Sequence, residues 1–210
     1  MPHDSASAPP AAAPLAPPAP FRLVTLGRLA LVGPGGEDAD LARRRRKVAL
    51  LAYLALAARP VPRLVLVDTF WPGDDERRAR HSLADALSHL RRVLGPGALA
   101  ARAADVALAP AAPLAVDAHA LAAAHAARDW ERAVACYAGP FLEGVFVERA
   151  PRFDAWAGRE RARLRRLFTD ACAGACAARA TAGDWDGCAA LAERWVEADP
   201  ASPEAGVTLL

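Results

Sequence analysis

One stretch, Arg77 to Gly95, constrains the fold of this chain more than any other. Four leucines recur in it at gaps of four, three and four residues, which places them on one face of a helix: Leu83, Leu87, Leu90 and Leu94. Gly95 and Pro96 predict the end of that helix, because glycine suits a left-handed cap and proline cannot continue the turn. A helix with such an apolar face has to pack against other elements.

The opposite face of the same helix is polar. At about 100° per residue it carries basic, hydroxyl and acidic side chains that can reach the phosphates and base edges of duplex DNA. The set consists of Arg78, His81, Asp85, Ser88, His89 and Arg92, with Arg80 and Arg91 flanking it. An ordinary surface helix with a solvated arginine face is the alternative interpretation, and this stretch alone does not decide between the two.

The distribution of charge favours the first interpretation. The formal net charge of the chain is only +2, which by itself gives no argument for a polyanionic partner. Residues 21–116, however, contain 15 Lys and Arg against 9 Asp and Glu, whereas residues 117–210 contain 11 against 14. A basic first half beside an acidic second half predicts a polyanion-binding module joined to a second unit, unless the unevenness is due to chance.

The chain begins with a segment rich in proline and alanine. Residues 1–20 have no periodicity, and we predict a disordered tail. From residue 21 to 32 apolar residues alternate with others around Gly27, which predicts two short strands or one bulged strand. A turn at 33–36 follows, and residues 37–42 are candidates for a further edge strand.

A run of five cations, residues 43–47, leads directly into an apolar helix over 48–58. Positive charge at the start of a helix opposes its dipole, at a cost of about 0.3–1 kcal/mol for each charge. The repetition of this unfavourable placement favours phosphate contact, and a solvated charge run is the equally weighted alternative. The candidate phosphate ligands are Arg43, Arg44, Arg45 and Arg46.

The next elements complete a recognisable order. Residues 59–62 contain two prolines and predict a break, and Leu64 to Trp71 has helical spacing although its residue types prefer strands. After the 77–94 helix, five apolar residues are expected to fill a small hairpin: Leu99, Val106, Leu108, Leu114 and Val116. Strands, three helices and a hairpin are the order of a winged helix-turn-helix, whose third helix enters the major groove.

The second half has a helical pattern throughout. We predict helices over 117–127, 129–138, 152–182 and 184–198, an irregular apolar connector over 141–151, and a further helix from Pro203. Asp-Trp pairs at 129–130 and 184–185 begin two similar segments. A tetratricopeptide-like helical array explains this similarity, and a generic helical bundle is the alternative.

Other classes of site find little support in the sequence. The four cysteines all lie in the second half without completing a metal-ligand set, so we expect buried core thiols in a reducing cytoplasm. The histidines and serines form no catalytic constellation, and no glycine loop for phosphate is present. We expect no cofactor, no metal, no enzymatic activity, no membrane span and a cytoplasmic protein.

Taken together, these motifs resemble the bacterial transcriptional activator domain proteins, the group that includes the SARP-type regulators. Residues 21–116 resemble their OmpR/PhoB-type winged helix, through FRLVTLGRLAL, RRRKVALLAYLALAARPVPR and LVDTFWPGDDERRARHSLADALSHLRRVLG. Residues 117–210 resemble their tetratricopeptide-like activator domain, through YAGPFLEG, GRERARLRRL and GDWDGCAALAERWVEADP. The last residues resemble the first helix of a further repeat, so we expect a truncated activator domain.

The resemblance implies a transcription regulator that binds double-stranded promoter DNA at direct repeats. Two copies would then form a homodimer on DNA, and the helical domain would assist assembly and contact RNA polymerase. The resemblance implies that Ser88 and His89 of the 77–94 helix read base edges. It also implies that Arg102 on the wing enters a minor groove. Four arginines would mostly hold phosphates, namely Arg78, Arg80, Arg91 and Arg92, and Arg77 is a further DNA-binding candidate.

Two departures from the family pattern keep a second hypothesis open. Family members often have arginine at the positions of Ala84 and His89. Asp85 also brings a negative charge towards DNA, where it would either accept a hydrogen bond from a cytosine amino group or repel the phosphates. The alternative function is a protein-interaction adaptor whose winged helix binds DNA weakly or not at all.

Overall fold

The computed structural model describes residues 20–38, 44–102, 104–200 and 208. Apart from Pro20, the predicted tail lies outside the described residues, as do Arg43 and nearly all of the predicted helix from Pro203. The described chain is mainly helical, with small sheets confined to the first half. This is the predicted fold class: a winged helix-turn-helix followed by a tetratricopeptide-like helical array.

The first sheet has four strands, in the order β3 (Gly36–Glu37), β2 (Ala30–Gly33), β1 (Phe21–Val24) and β7 (Leu114–Val116). Strands β1 (Phe21–Val24) and β2 (Ala30–Gly33) are antiparallel, which confirms the two-strand interpretation of residues 21–32. The turn after β2 leads into a two-residue edge strand, β3 (Gly36–Glu37). Strand β7 (Leu114–Val116) lies parallel to β1 on its other side.

Three helices follow the first strands: α1 (Arg45–Leu56), α2 (Arg63–Phe70) and α3 (Glu76–Leu94). Helix α2 forms despite its strand-prone residue types because helical spacing brings Leu66 and Phe70 together in the core, where both are fully buried. Asp75 caps the start of helix α3, because its carboxylate accepts a hydrogen bond from the Arg78 N–H at 3.0 Å.

The wing is a three-stranded sheet in the order β4 (Val61–Pro62), β6 (Asp105–Leu108) and β5 (Leu99–Ala101). Strands β5 (Leu99–Ala101) and β6 (Asp105–Leu108) form the predicted hairpin, and β4 (Val61–Pro62) adds to it where the prolines predicted only a break. The assignment of Leu114 and Val116 to this hairpin is wrong. They belong to β7, because a turn at 109–112 redirects the chain to the edge of β1, where the Phe21 N–H donates to the Pro113 carbonyl.

The second half contains α4 (Asp117–Ala126), α5 (Trp130–Cys136), α6 (Pro151–Ala182) and α7 (Trp185–Ala198). Helices α4 and α5 pack as one pair and α6 and α7 as another, which is the predicted array of helical hairpins. The two Asp-Trp motifs play the same part in both pairs: Asp129 and Asp184 each cap the helix that follows, by accepting from a backbone N–H three residues on.

One continuous hydrophobic core runs through both halves of the described chain. The ring centroids of Tyr53 and Trp156 lie 4.7 Å apart, and those of Phe70 and Phe153 lie 5.3 Å apart, so the start of α6 packs directly on α1 and α2. The strands and helices of the first half and the helices of the second half therefore share one core.

The YAGPFLEG motif holds the two halves together through backbone contacts. The Gly27 N–H donates to the Pro140 carbonyl at 3.0 Å, and the Leu142 N–H donates to the Thr25 carbonyl at 2.8 Å. A side chain on Gly139 would place its Cβ only 3.0 Å from the Gly27 Cα, so both positions require glycine for this close approach. The rest of the predicted connector, residues 143–150, starts from this fixed point, and we use the name connector for these residues from here on.

Candidate nucleic-acid interface

Helix α3 presents the predicted polar face to solvent. Its four leucines are buried against the core, and the exposed side chains lie opposite them. Arg91 is half-buried at the flank. The exposed members of the predicted set are Arg77, Arg78, Arg80, His81, Asp85, Ser88 and Arg92.

His89 does not share this exposure. Only 5% of its surface is accessible, so the prediction that it lies on the exposed face is wrong. The buried arc of α3 is wider than the leucine stripe, because the small Ala79 and Ala86 allow close packing on the side that leads round to His89. The Nδ1 atom of His89 lies 2.7 Å from a guanidinium nitrogen of Arg92, so the histidine positions that arginine from within the helix.

Asp85 is engaged by a cation from another helix. The Lys47 ammonium donates to its carboxylate at 2.7 Å, and this hydrogen bond lowers the pKa of Asp85 below its usual range. The lysine side chain is only 13% exposed, whereas that of the aspartate is 63% exposed. Asp85 is therefore ionised at neutral pH, and its charge is largely balanced within the protein.

Two of the predicted phosphate ligands pair with carboxylates at the start of α3. Arg78 lies 3.6 Å from Asp75, and Arg80 contacts Glu76 one turn earlier. All four side chains are more than 60% exposed. Such exposed pairs contribute at most about 1 kcal/mol, so a stronger anion can displace the carboxylates.

The basic run lies at the first turn of α1, next to α3. Arg44 and Arg45 are exposed, and Arg46 is half-buried. Arg46 is held in place from two sides: its guanidinium carbon lies 5.9 Å from the centroid of the Trp71 ring, and it donates to the Glu148 carbonyl at 3.3 Å. On the wing, Arg102 is exposed in the turn between β5 and β6.

A cleft of about 500 Å³ lies between this basic turn and the connector of the second half. Residues 44–47 form one wall, residues 146–148 form another, and Ser82 and Asp85 of α3 lie at its side. Phe146 is 66% exposed there. This arrangement is not predictable from the sequence, because the connector has only an irregular apolar pattern without periodicity.

Three of the four cysteines predicted to be core residues are buried, and the fourth is only partly so. Cys172, Cys176 and Cys188 are buried and Cys136 is half-buried. Burial raises the pKa of both the Cys172 and the Cys176 thiols to about 12.

Among the described residues, no group of three or more histidines, cysteines and carboxylates is placed to hold a metal ion. Nor does any helix in the described ranges have the length and apolarity needed to cross a membrane.

Comparison with known protein families identifies the family to which the chain belongs. The sequence model of one family, described as "Bacterial transcriptional activator domain", matches residues 104–210, which is half of the chain. The chain belongs to the bacterial transcriptional activator domain family. The resemblance to bacterial transcriptional activator domain proteins noted in the sequence is thereby confirmed. We call residues 104–210 the activator domain, which begins within the wing hairpin.

The activator domain and the elements before it share their fold with a solved structure, "Mycobacterium tuberculosis EmbR in complex with low affinity phosphopeptide". The TM-score is 0.66 at 20% sequence identity, over 90% of this chain and 53% of that one. The chain thus spans about half the length of EmbR, and the likeness concerns the fold. A comparison with the curated proteins gave no match.

Proposed function

We propose that this protein is a transcription regulator that binds double-stranded promoter DNA with the exposed face of α3. The observation that carries the proposal is the placement of arginines, His81 and Ser88 on the solvent face of the third helix of a winged helix, with the leucine face buried. Phosphate contacts would position the protein, and Ser88 is the remaining candidate for base reading now that His89 is buried.

The flanking cations support the same orientation. The first turn of α1 lies beside α3, and Arg102 extends from the wing on the same domain. A duplex with its major groove on α3 would bring one backbone to the α1 turn and the adjacent minor groove to the wing. We assign DNA binding to residues 21–116, and assembly and RNA polymerase contact to the helices of residues 117–210, with two copies side by side on direct repeats.

The experiment that tests the proposal is selection from a random-sequence duplex library at about 0.1 M salt, followed by sequencing. We expect an enriched motif, present in two copies spaced by about one helical turn if two proteins bind side by side. Replacing both Arg78 and Arg92 by alanine should weaken the binding of the protein to the enriched duplex by about 1–3 kcal/mol. Binding without enrichment would reduce the proposal to phosphate attraction, and no binding at low salt would overturn it.

The adaptor hypothesis is the outcome that a failure would favour. Its main support is that the negative charge of Asp85 would repel the DNA phosphates. The ion pair of Asp85 with Lys47 weakens this support because it largely balances that charge. A stable complex with another protein, together with no measurable binding to any DNA duplex, would support the adaptor hypothesis. The two hypotheses are thus separated by one binding measurement on the intact protein.

A further inference from the structure

We propose that the activator domain itself contacts DNA, through the connector around Phe146, which together with the first turn of α1 forms a cleft for one sugar-phosphate backbone. The inference rests on the proposed function, because it names a second contact for the same duplex. What is new is that a segment of the helical half, rather than the winged helix alone, belongs to the DNA interface.

The position of the connector is fixed at both ends. Before it, the Leu26–Phe141 bridge and the hydrogen bonds at Gly27 join it to the first half. Farther along it, directly after Phe146, Val147 and then Ala150 are buried in the shared core. The chain between these anchors has little freedom to withdraw, so Phe146 is held beside the basic turn of α1 although its own ring is mostly in water.

The chemistry of the cleft matches a nucleic-acid backbone. One wall carries four consecutive cations, residues 44–47, while the carboxylates at its edge are those of Asp85 and Glu148. Lys47 balances Asp85, and the contact of Arg46 with Glu148 is through the carbonyl, so the wall keeps an excess of positive charge. Cations suit the phosphates, and the exposed Phe146 ring offers an apolar surface for a deoxyribose.

The location of the cleft favours DNA over a free anion or an acidic protein. Ser82 and Asp85 line its side, and Asp85 belongs to the same exposed face as Ser88 and Arg92 at helical spacing. A duplex seated on α3 would therefore have to pass its backbone along the cleft. A small anion or a protein segment placed there would compete with that duplex for the same space.

The test uses opposite charges at one exposed position of the intact protein. We expect Phe146→Lys to strengthen binding to the selected duplex by about three- to tenfold and to steepen the dependence of log K on log salt by about one unit between about 0.05 and 0.2 M. Phe146→Glu should weaken binding by a similar factor. The matched controls are Trp185→Lys and Trp185→Glu, because Trp185 on α7 is 67% exposed and lies outside the cleft.

The outcomes separate this inference from the proposed function. A wild-type protein that binds no duplex would overturn both. A wild-type protein that binds, with Phe146 variants no different from the Trp185 controls, would overturn the inference alone. As a second readout, a photoreactive benzoylphenylalanine at position 146 should crosslink to the duplex, whereas crosslinking only to a protein would assign the cleft to a protein partner and contradict the inference.

Discussion

The carboxylate of Asp117 accepts a hydrogen bond from the backbone N–H of Thr25 at 2.7 Å, across 92 residues of sequence. The same side chain contacts the Thr25 hydroxyl and accepts from the N–H groups of Leu26 and Ala118. One carboxylate thus accepts hydrogen bonds from backbone N–H groups that follow β1 and from one at the start of α4. It is the polar counterpart of the aromatic contacts between the two halves.

Replacing Asp117 by alanine should lower the free energy of unfolding by about 2–5 kcal/mol, because it leaves the fully buried Thr25 and the Leu26 N–H without their acceptor. Urea titration followed by circular dichroism measures the loss. The control is Asp129→Ala, which removes an exposed helix cap and should cost only about 1 kcal/mol. Equal costs for the two variants would contradict the special role of Asp117.

Two glycines of α6 should respond oppositely to alanine. At Gly174 a Cβ would lie 2.6 Å from the Trp130 ring, so Gly174→Ala should destabilise the protein by about 1–3 kcal/mol and shift the tryptophan fluorescence. At Gly158 nothing lies within 4 Å, so Gly158→Ala should stabilise the helix by about 0.5–1 kcal/mol. Thermal unfolding of both variants checks the pair, and a stabilising Gly174→Ala would contradict the packing of Trp130 on α6.

Asp85 offers a test of what a carboxylate does on the helix that we propose binds DNA. Because Asp85→Asn removes a negative charge and releases Lys47, we expect several-fold tighter binding and a salt dependence steeper by about one unit. Stability should change by less than about 1 kcal/mol, since the carboxylate is mostly exposed. Asp186→Asn, an equal change of charge on α7, is the control.

The same variant separates the two roles considered for Asp85. If the carboxylate accepts from a cytosine in the operator, Asp85→Asn should instead weaken binding to the selected sequence and leave binding to other duplexes nearly unchanged. Competition between the selected duplex and a scrambled duplex measures this difference directly.

The thiols should react in an order set by burial. A raised pKa means a smaller thiolate fraction at a given pH, so Cys172 and Cys176, with pKa values raised to about 12, should resist alkylation at pH 8 in the folded protein. Cys136 is half-buried and should be modified first, although burial also raises its pKa. In denaturant all four cysteines should react at similar rates. Mass spectrometry of the time course, with Cys136→Ser as control, identifies the sites, and early labelling of Cys172 would contradict this order.

The elements that were predictable from sequence are those whose periodicity reports their burial. The leucine spacing gave α3 and its exposed face, and the Asp-Trp motifs gave the two helix starts of the array. His89 was predicted to be exposed because a helical wheel centred on the leucines takes no account of the elements that pack beside them. Two small alanines on one flank of the leucines allow close packing there, which widens the buried arc on that side. Strand β7 was misassigned because pairing with a distant edge leaves no local signal.

The candidate site was only partly predictable for a related reason. The cations at residues 44–47 stand out in the sequence as a run, but their neighbour Phe146 is about a hundred residues away and belongs to an aperiodic connector. The ion pair of Lys47 with Asp85 likewise joins two residues on different helices. Contacts between distant segments depend on packing that no single stretch encodes.

Helix α6 has 32 residues and is therefore about 48 Å long, and only its first turns pack on α1 and α2. Its far end lies among the last helices of the array. The remaining turns of α6 pack on α4, α5 and α7. Because α6 is one continuous helix, any change of angle between its far end and the shared core requires the helix to bend or its first turns to move.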